Sequence, residues 1–307
     1  MKTKSLMTAS CLLGASVLAA AAALAPASAQ NPPPPDHPAV TVGGQTYTPR
    51  NILSRNMGTL EDQQTAFAPH KIIGNIYYVG TRTLSSFLIV TPQGNILIDS
   101  TFERNVPVIA KSVADLGFRF ADTKILLGNH AHGDHQEGDA LVKQMTGAQV
   151  VAMQEDLPAL QAMKPGGKEH PVDRVIRDGD TVTLGGMTLT AHLTAGHTRG
   201  CTTWTMPIQE GGRNYNVVFF CSLRSPGTIA PAVADEMNRT FRTVRTIPCD
   251  VPLGDHPAQY RMQAKHARLA AGGANPFVDP ANCFLEADIQ EAMFRAVLVE
   301  QQQAAPR

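Results

Sequence analysis

Asn129-His130-Ala131-His132-Gly133-Asp134-His135 is the densest polar stretch of this 307-residue chain. It follows Lys124-Ile125-Leu126-Leu127, which reads as a short buried strand. Three imidazoles and a carboxylate at this spacing match the mixed nitrogen and carboxylate donors that zinc and similar divalent ions take. In an extended loop, positions 130 and 132 point the same way, so His130 and His132 are expected to grip one ion. Asp134 and His135 turn to the other side and are expected to grip a second. Neither half is complete, because a catalytic zinc keeps three protein ligands and an open position. Two distant histidines follow apolar segments and close the count. His197 sits in Thr194-Ala195-Gly196-His197-Thr198-Arg199-Gly200, and His256 in Leu253-Gly254-Asp255-His256-Pro257. The expected sets are His130, His132 and His197 for one metal, and Asp134, His135 and His256 for the other. His37, His70, His170 and His266 read as surface or hydrogen-bonded residues. His192 reads as structural or as a support for the ligands.

Outward from this stretch the pattern is mixed. A strand is expected over 72–79, and a hairpin over 86–90 and 95–98 turns at Pro92-Gln93-Gly94. Residues 106–116 space Ile109, Val113 and Leu116 on one helical face, with Pro107 near the start and Gly117 just after. A helix runs to Met145 and stops at Gly147. A strand over 148–152 and a helix over 155–163 follow. Loop 163–172 is a candidate lid over the site. Strands are then expected over 175–176, 181–184, 187–192, 202–206 and 216–220, with turns at Asp178-Gly179 and Gly185-Gly186. Helices return at the end, the last carrying Ile289, Met293 and Val297 at the 3.6-residue period. The order favours one layered α/β domain over 61–307.

Two segments precede it. Residues 1–29 open with Lys2 and Lys4, continue through an apolar run and end at Ala27-Ser28-Ala29, the pattern of a cleaved secretory signal. Residues 30–60 form an N-terminal arm, and the proline-rich part up to residue 44 is expected to be flexible or extended. The 26 basic and 26 acidic side chains balance, and loss of the signal's two lysines leaves about −2. That excludes a nucleic-acid backbone as partner, since no basic excess exists to neutralise phosphates. No later stretch has the roughly 18 apolar residues of a membrane span. No membrane contact is therefore expected after signal cleavage. Cys11 leaves with the signal. Cys201, Cys221, Cys249 and Cys283 remain in a compartment where disulfides persist, and three pairings are open.

His-x-His-x-Asp-His followed by two separated loop histidines resembles the metallo-β-lactamase superfamily, over roughly residues 65–300. The resemblance implies a four-layer αββα sandwich with a dinuclear site at one edge. His135, and Ser222 after Cys221, bring the ligand set closest to subclass B3. Thr194-Ala195-Gly196-His197-Thr198, Trp204 and Cys249-Asp250-Val251-Pro252-Leu253 agree with that subclass. It implies a Cys249–Cys283 disulfide and, as in some members, Cys201–Cys221. Asp99 resembles an aspartate that supports the histidine loop. Several positions depart from the pattern. Asn129 replaces a common Ser, Gln136-Glu137 replace small residues, Arg199 stands where Pro is common, and Thr228 holds a position that is Tyr in some members. Arg224 replaces a small or hydroxyl residue.

The implied activity is hydrolysis of the β-lactam amide bond of penicillins, cephalosporins and carbapenems by a zinc-bound hydroxide. It would use two Zn2+ ions, with Asp134 in the catalytic role and Ser222 and Arg224 on the substrate carboxylate. A small-molecule β-lactam is the expected partner, the chain a monomer, and the compartment the periplasm. Lactonase-like or thioesterase chemistry is the alternative. Those members need a bridging aspartate ending a late strand, yet no Asp or Glu occurs from Gly211 to Ala234. A non-catalytic zinc-binding protein on the same scaffold is the third reading.

Overall fold

The computed structural model describes residues 34–304, so the signal segment expected over 1–29 lies outside the described residues. Strands β1 (Val40–Val42) and β2 (Gln45–Tyr47) pair as a hairpin, followed by helices α1 (Pro49–Met57) and α2 (Leu60–Gln64). The first large sheet is seven strands in sequence order: β3 (His70–Ile73), β4 (Ile76–Tyr78), β5 (Phe87–Thr91), β6 (Gly94–Ile98), β7 (Thr123–Leu127), β8 (Gln149–Met153) and β9 (Arg174–Ile176). Pairs β6/β7, β7/β8 and β8/β9 are parallel. Their crossovers carry α3 (Val106–Asp115), then α4 (Gly133–Gln136) with α5 (Asp139–Thr146), then α6 (Leu157–Ala162). The second sheet is β10 (Thr181–Leu184), β11 (Met187–Leu193), β12 (Thr202–Glu210), β13 (Arg213–Phe220) and β14 (Val251–Gly254). Helix α7 (Pro231–Val244) joins β13 to its parallel partner β14, and α8 (Met262–Ala270) and α9 (Leu285–Ala304) end the described chain.

Period-two alternation sets the layers. Phe87, Ile89, Ile96, Ile98, Ile125 and Leu127 face Trp204, Met206, Val217 and Phe219 between the two sheets. The intervening Leu88, Leu97 and Leu126 point outward onto Val106, Ile109 and Val113 of α3. On the other side Val218 and Phe220 meet Met237 and Phe241 of α7 and Phe294 of α9. Both sheets are therefore buried on both faces, as parallel crossovers require. The architecture is the αββα sandwich.

Three local expectations change. Residues 72–79 are two strands, because Gly74 turns at φ 56° and a side chain there would meet Ile208 at 2.5 Å. The helix expected over 155–163 starts with the 3-10 turn Gln154–Asp156 before α6. From residue 40 the arm is folded rather than extended. Ile52 of α1 is buried with Tyr47, Ile289 and Met293. Arg55 of α1 also pairs with Glu286 of α9 at 2.7 Å.

His70 is buried between the stacked rings of Tyr78 and Phe277, and its Nδ1 lies 2.8 Å from the Ala68 carbonyl. Burial pushes its pKa from 6.5 down to about 4. Below pH 6.5 the unfolded chain takes up a proton that the folded residue refuses until about pH 4, so stability falls as pH drops through that window. The cost is about 3 kcal/mol. His70→Gln is expected to flatten this part of the pH profile of thermal unfolding. An unchanged difference between the two chains from pH 7 to pH 4 contradicts it.

Candidate metal centre

All the candidate ligands stand at one edge of the sandwich, beyond the carboxyl ends of β7, β11 and β14. β7 ends at Leu127, and Gly128 lets the Gln136 side chain lie against the backbone; an added Cβ would sit 2.1 Å from it. That close approach turns the chain from strand into α4. His130 and His132 lie in the turn, and Asp134 and His135 on the first turn of α4. His197 comes from the loop between β11 and β12, and His256 from the end of β14.

The structure brings His130, His132 and His197 together, with ligand atoms within 4.8 Å of one another. Their ring centroids are 4.7 to 4.8 Å apart and the rings stand nearly perpendicular, as three imidazoles do around one point. Asp134, His135 and His256 form a second group at the same spacing. Asp134 Oδ2 is 3.3 Å from His135 Nε2 and 3.8 Å from His256 Nε2. The groups adjoin through His130 and His135, whose centroids are 4.2 Å apart.

The second ring nitrogen of several histidines is committed. His197 Nδ1 is 2.8 Å from the Arg224 carbonyl, and His256 Nδ1 is 3.0 Å from the Thr83 carbonyl. His135 Nδ1 is 3.1 Å from Asp99 Oδ2. Carbonyl acceptors require N–H at Nδ1, so Nε2 carries the lone pair. His130 Nε2 and His135 Nε2 are buried with no hydrogen-bond partner. Buried polar atoms without partners are costly, and a divalent cation satisfies them. The residues therefore fit a metal of the zinc type.

Burial pushes His130, His197, His132 and His256 below the ordinary imidazole pKa and keeps them neutral, as ligands must be. Burial opposes the charge on Asp134, but His135 beside it holds the carboxyl well below its usual range. Burial pushes Asp99 up to about 6. Asp99 Oδ1 also accepts from the Asn129 backbone N–H at 2.8 Å, so one side chain fixes both ends of the histidine turn. Asp99 and Thr101 stand at φ 60° and 58°, a left-handed backbone that non-glycine residues rarely adopt.

The other sequence candidates fall into place around this centre. Ser222 and Arg224 line the cleft beside His132 and His197. The opposite wall is α1 (Leu53, Asn56 and Met57), a segment the sequence reading left outside the site. Loop 163–172 does not line the cleft. It is pinned aside by His170, whose Nε2 lies 3.2 Å from Asp139 Oδ2. His37 pairs with Glu300, and His192 bonds Thr205 on the neighbouring strand. Asp255 is fully buried, 3.5 Å from His130 Nδ1. Asp156 was missed. Disulfides join Cys201 to Cys221 and Cys249 to Cys283.

A family model, the metallo-β-lactamase superfamily, matches residues 79–210. The FEZ-1 metallo-β-lactamase of Legionella gormanii is 40% identical with a TM-score of 0.74, covering 79% of this chain and 99% of that one. The chain belongs to the metallo-β-lactamase superfamily. BJP-1 of Bradyrhizobium japonicum, a subclass B3 metallo-β-lactamase, is 38% identical, again with a TM-score of 0.74, over 80% of this chain and 98% of that one. A curated hydroxyacylglutathione hydrolase of Hyphomonas neptunium is 30% identical over 119 residues, which are 39% of this chain and 42% of the relative. The chain thus spans less than half the length of that relative. Within the superfamily, the two ligand groups mark this chain as a metal-dependent hydrolase.

His197→Ala and His256→Ala, one from each group, are each expected to lower the metal the chain retains. Elemental analysis after dialysis checks this, and equal metal content in either variant and the parent contradicts the assignment.

Proposed function

We propose that this chain is a zinc-dependent β-lactamase that takes two zinc ions. His130, His132 and His197 hold one, and Asp134, His135 and His256 the other. The observation that carries the reading is the pairing of these two groups with the Arg224 side chain in one cleft of about 460 Å³, ample for a drug-sized ligand. Zinc bound there supplies Lewis acidity and lowers the pKa of water to about 7.

The chain's own residues do the positioning. Arg224 is half-buried, and its guanidinium has no hydrogen bond or ion pair among the described residues. With Ser222 it binds the carboxylate on the fused ring of a β-lactam by charge-assisted hydrogen bonds. That contact sets the amide over the ligand groups. Asp134, kept ionised by the neighbouring imidazoles, orients the attacking water with its carboxylate. Leu53 and Met57 of α1 close the far wall and reduce access of bulk solvent. No serine nucleophile is needed.

Export by the segment over 1–29 would place the enzyme in the periplasm as a monomer, and two disulfides suit that oxidising compartment. Among the described residues no helix is long and apolar enough to cross a membrane. A second reading is hydrolysis of a cyclic ester or thioester, and the hydroxyacylglutathione hydrolase relatives speak for it. The absence of any acid from Gly211 to Ala234, around the end of β13, speaks against it.

Purified chain lacking residues 1–29 is expected to hydrolyse a carbapenem, followed by loss of absorbance. A chelator should abolish turnover and zinc restore it. Zinc-loaded protein that leaves carbapenems, penicillins and cephalosporins intact but cleaves lactones or thioesters would overturn the β-lactam reading. Arg224→Ala is expected to raise KM for a carboxylate-bearing β-lactam about tenfold while kcat changes little. A kcat loss with KM unchanged contradicts the binding role.

A further inference from the structure

Asp156 belongs to neither ligand group. It ends the 3-10 turn Gln154–Asp156 after β8 and is 3% exposed. Its Oδ2 accepts hydrogen bonds from the Ala131 backbone N–H at 2.9 Å and from Thr198 Oγ1 at 2.8 Å. Its Oδ1 accepts from the Gly200 backbone N–H at 2.6 Å. Ala131 lies between His130 and His132, and Thr198 follows His197. One carboxylate therefore spans the two loops that carry the three imidazoles.

We propose that Asp156 is the positioning residue of the three-histidine group, setting the distance between the His130–His132 turn and the His197 loop and thereby the affinity of that group for a divalent ion. The inference rests on the metal reading of His130, His132 and His197.

Gly200 gives independent support. A Cβ there would lie 2.5 Å from the Asp156 nitrogen and 2.6 Å from its Cγ, so only glycine lets the loop close on the carboxylate. Both oxygens are used, and Asp156 has no ion-pair partner among the described residues. A buried carboxyl is tolerated when its oxygens are hydrogen-bonded, and here every hydrogen bond it makes goes to the two loops that carry the imidazoles. Other ties join the same loops: the Thr202 N–H donates to the Asn129 carbonyl at 2.8 Å, and the Cys201–Cys221 disulfide lies behind them. Loss of Asp156 should therefore loosen the group without dismantling the fold. The effect is that of a residue holding metal ligands from behind, where substitution weakens metal affinity about 10- to 100-fold.

The test is zinc binding by the metal-free chain in competition with a fluorescent chelator, giving one dissociation constant per group. His197→Ala and His256→Ala assign each constant to its group. Asp156→Ala is expected to weaken the three-histidine constant about 10- to 100-fold and leave the other constant in place. Asp156→Asn keeps an acceptor for Ala131 and Thr198 but turns an amide toward Gly200, so a smaller loss is expected. Gly200→Ala leaves the carboxylate present but displaced, and should shift the same constant in the same direction. Near-UV circular dichroism checks that each variant is folded. If Asp156→Ala fails to fold, Asp156→Asn and Gly200→Ala carry the test. Folded variants with both constants unchanged, or with both weakened equally, overturn the assignment. A parent chain that binds no zinc at all overturns the metal reading itself, a result separate from either.

Discussion

A metal-ligating imidazole is oriented most firmly when an acceptor holds its other ring nitrogen. In this chain that condition organises one edge of the sandwich. The Arg224 and Thr83 carbonyls and the Asp99 carboxylate each take one ring nitrogen. The carbonyl acceptors lie in loops beside the buried Leu84 and Leu223, which help fix them against the core. Asp99 does more, since it also holds the Asn129 backbone. Its left-handed φ is the local strain that the surrounding burial must over-determine.

Electrostatics pull the two ligand groups apart although they adjoin. Three neutral imidazoles form one group, and desolvation keeps them neutral. The other holds an ionised aspartate whose charge is stabilised by its histidine neighbours. The first group presents only nitrogen donors and the second adds an anionic oxygen. A divalent ion held by the first group would therefore meet a different donor set from one held by the second. Arg224 lines the same cleft and makes no ion pair among the described residues.

Much of this was legible before any coordinates. The histidine turn could be read because ligands of one ion must cluster, and a short loop is the cheapest way to cluster them. Strand alternation could be read because both sheet faces are buried. Cysteine pairing could not be read from counting, and the resemblance supplied the pairs that the structure contains. The α1 wall was hidden because its sequence, Pro49 to Met57, is mostly polar. Asp156 was hidden for another reason. Two of its partners are backbone N–H groups, 25 and 44 residues away, and a lone Ala or Gly at such a distance does not announce a carboxylate partner. The turn at Gly74 was lost inside an apolar run, where a single glycine does not announce a reversal.

The pair Arg55–Glu286 links positions 231 residues apart. Through it, and through Ile52 packed on Ile289 and Met293, the early helix that walls the cleft leans on the late helix α9. An early segment thus waits for a late one. During synthesis, the strands of both sheets emerge before this wall gains its support. The order of emergence therefore makes cleft closure a late event in the life of the chain, and a product cut short before α9 would lose the support of the wall that faces the histidines.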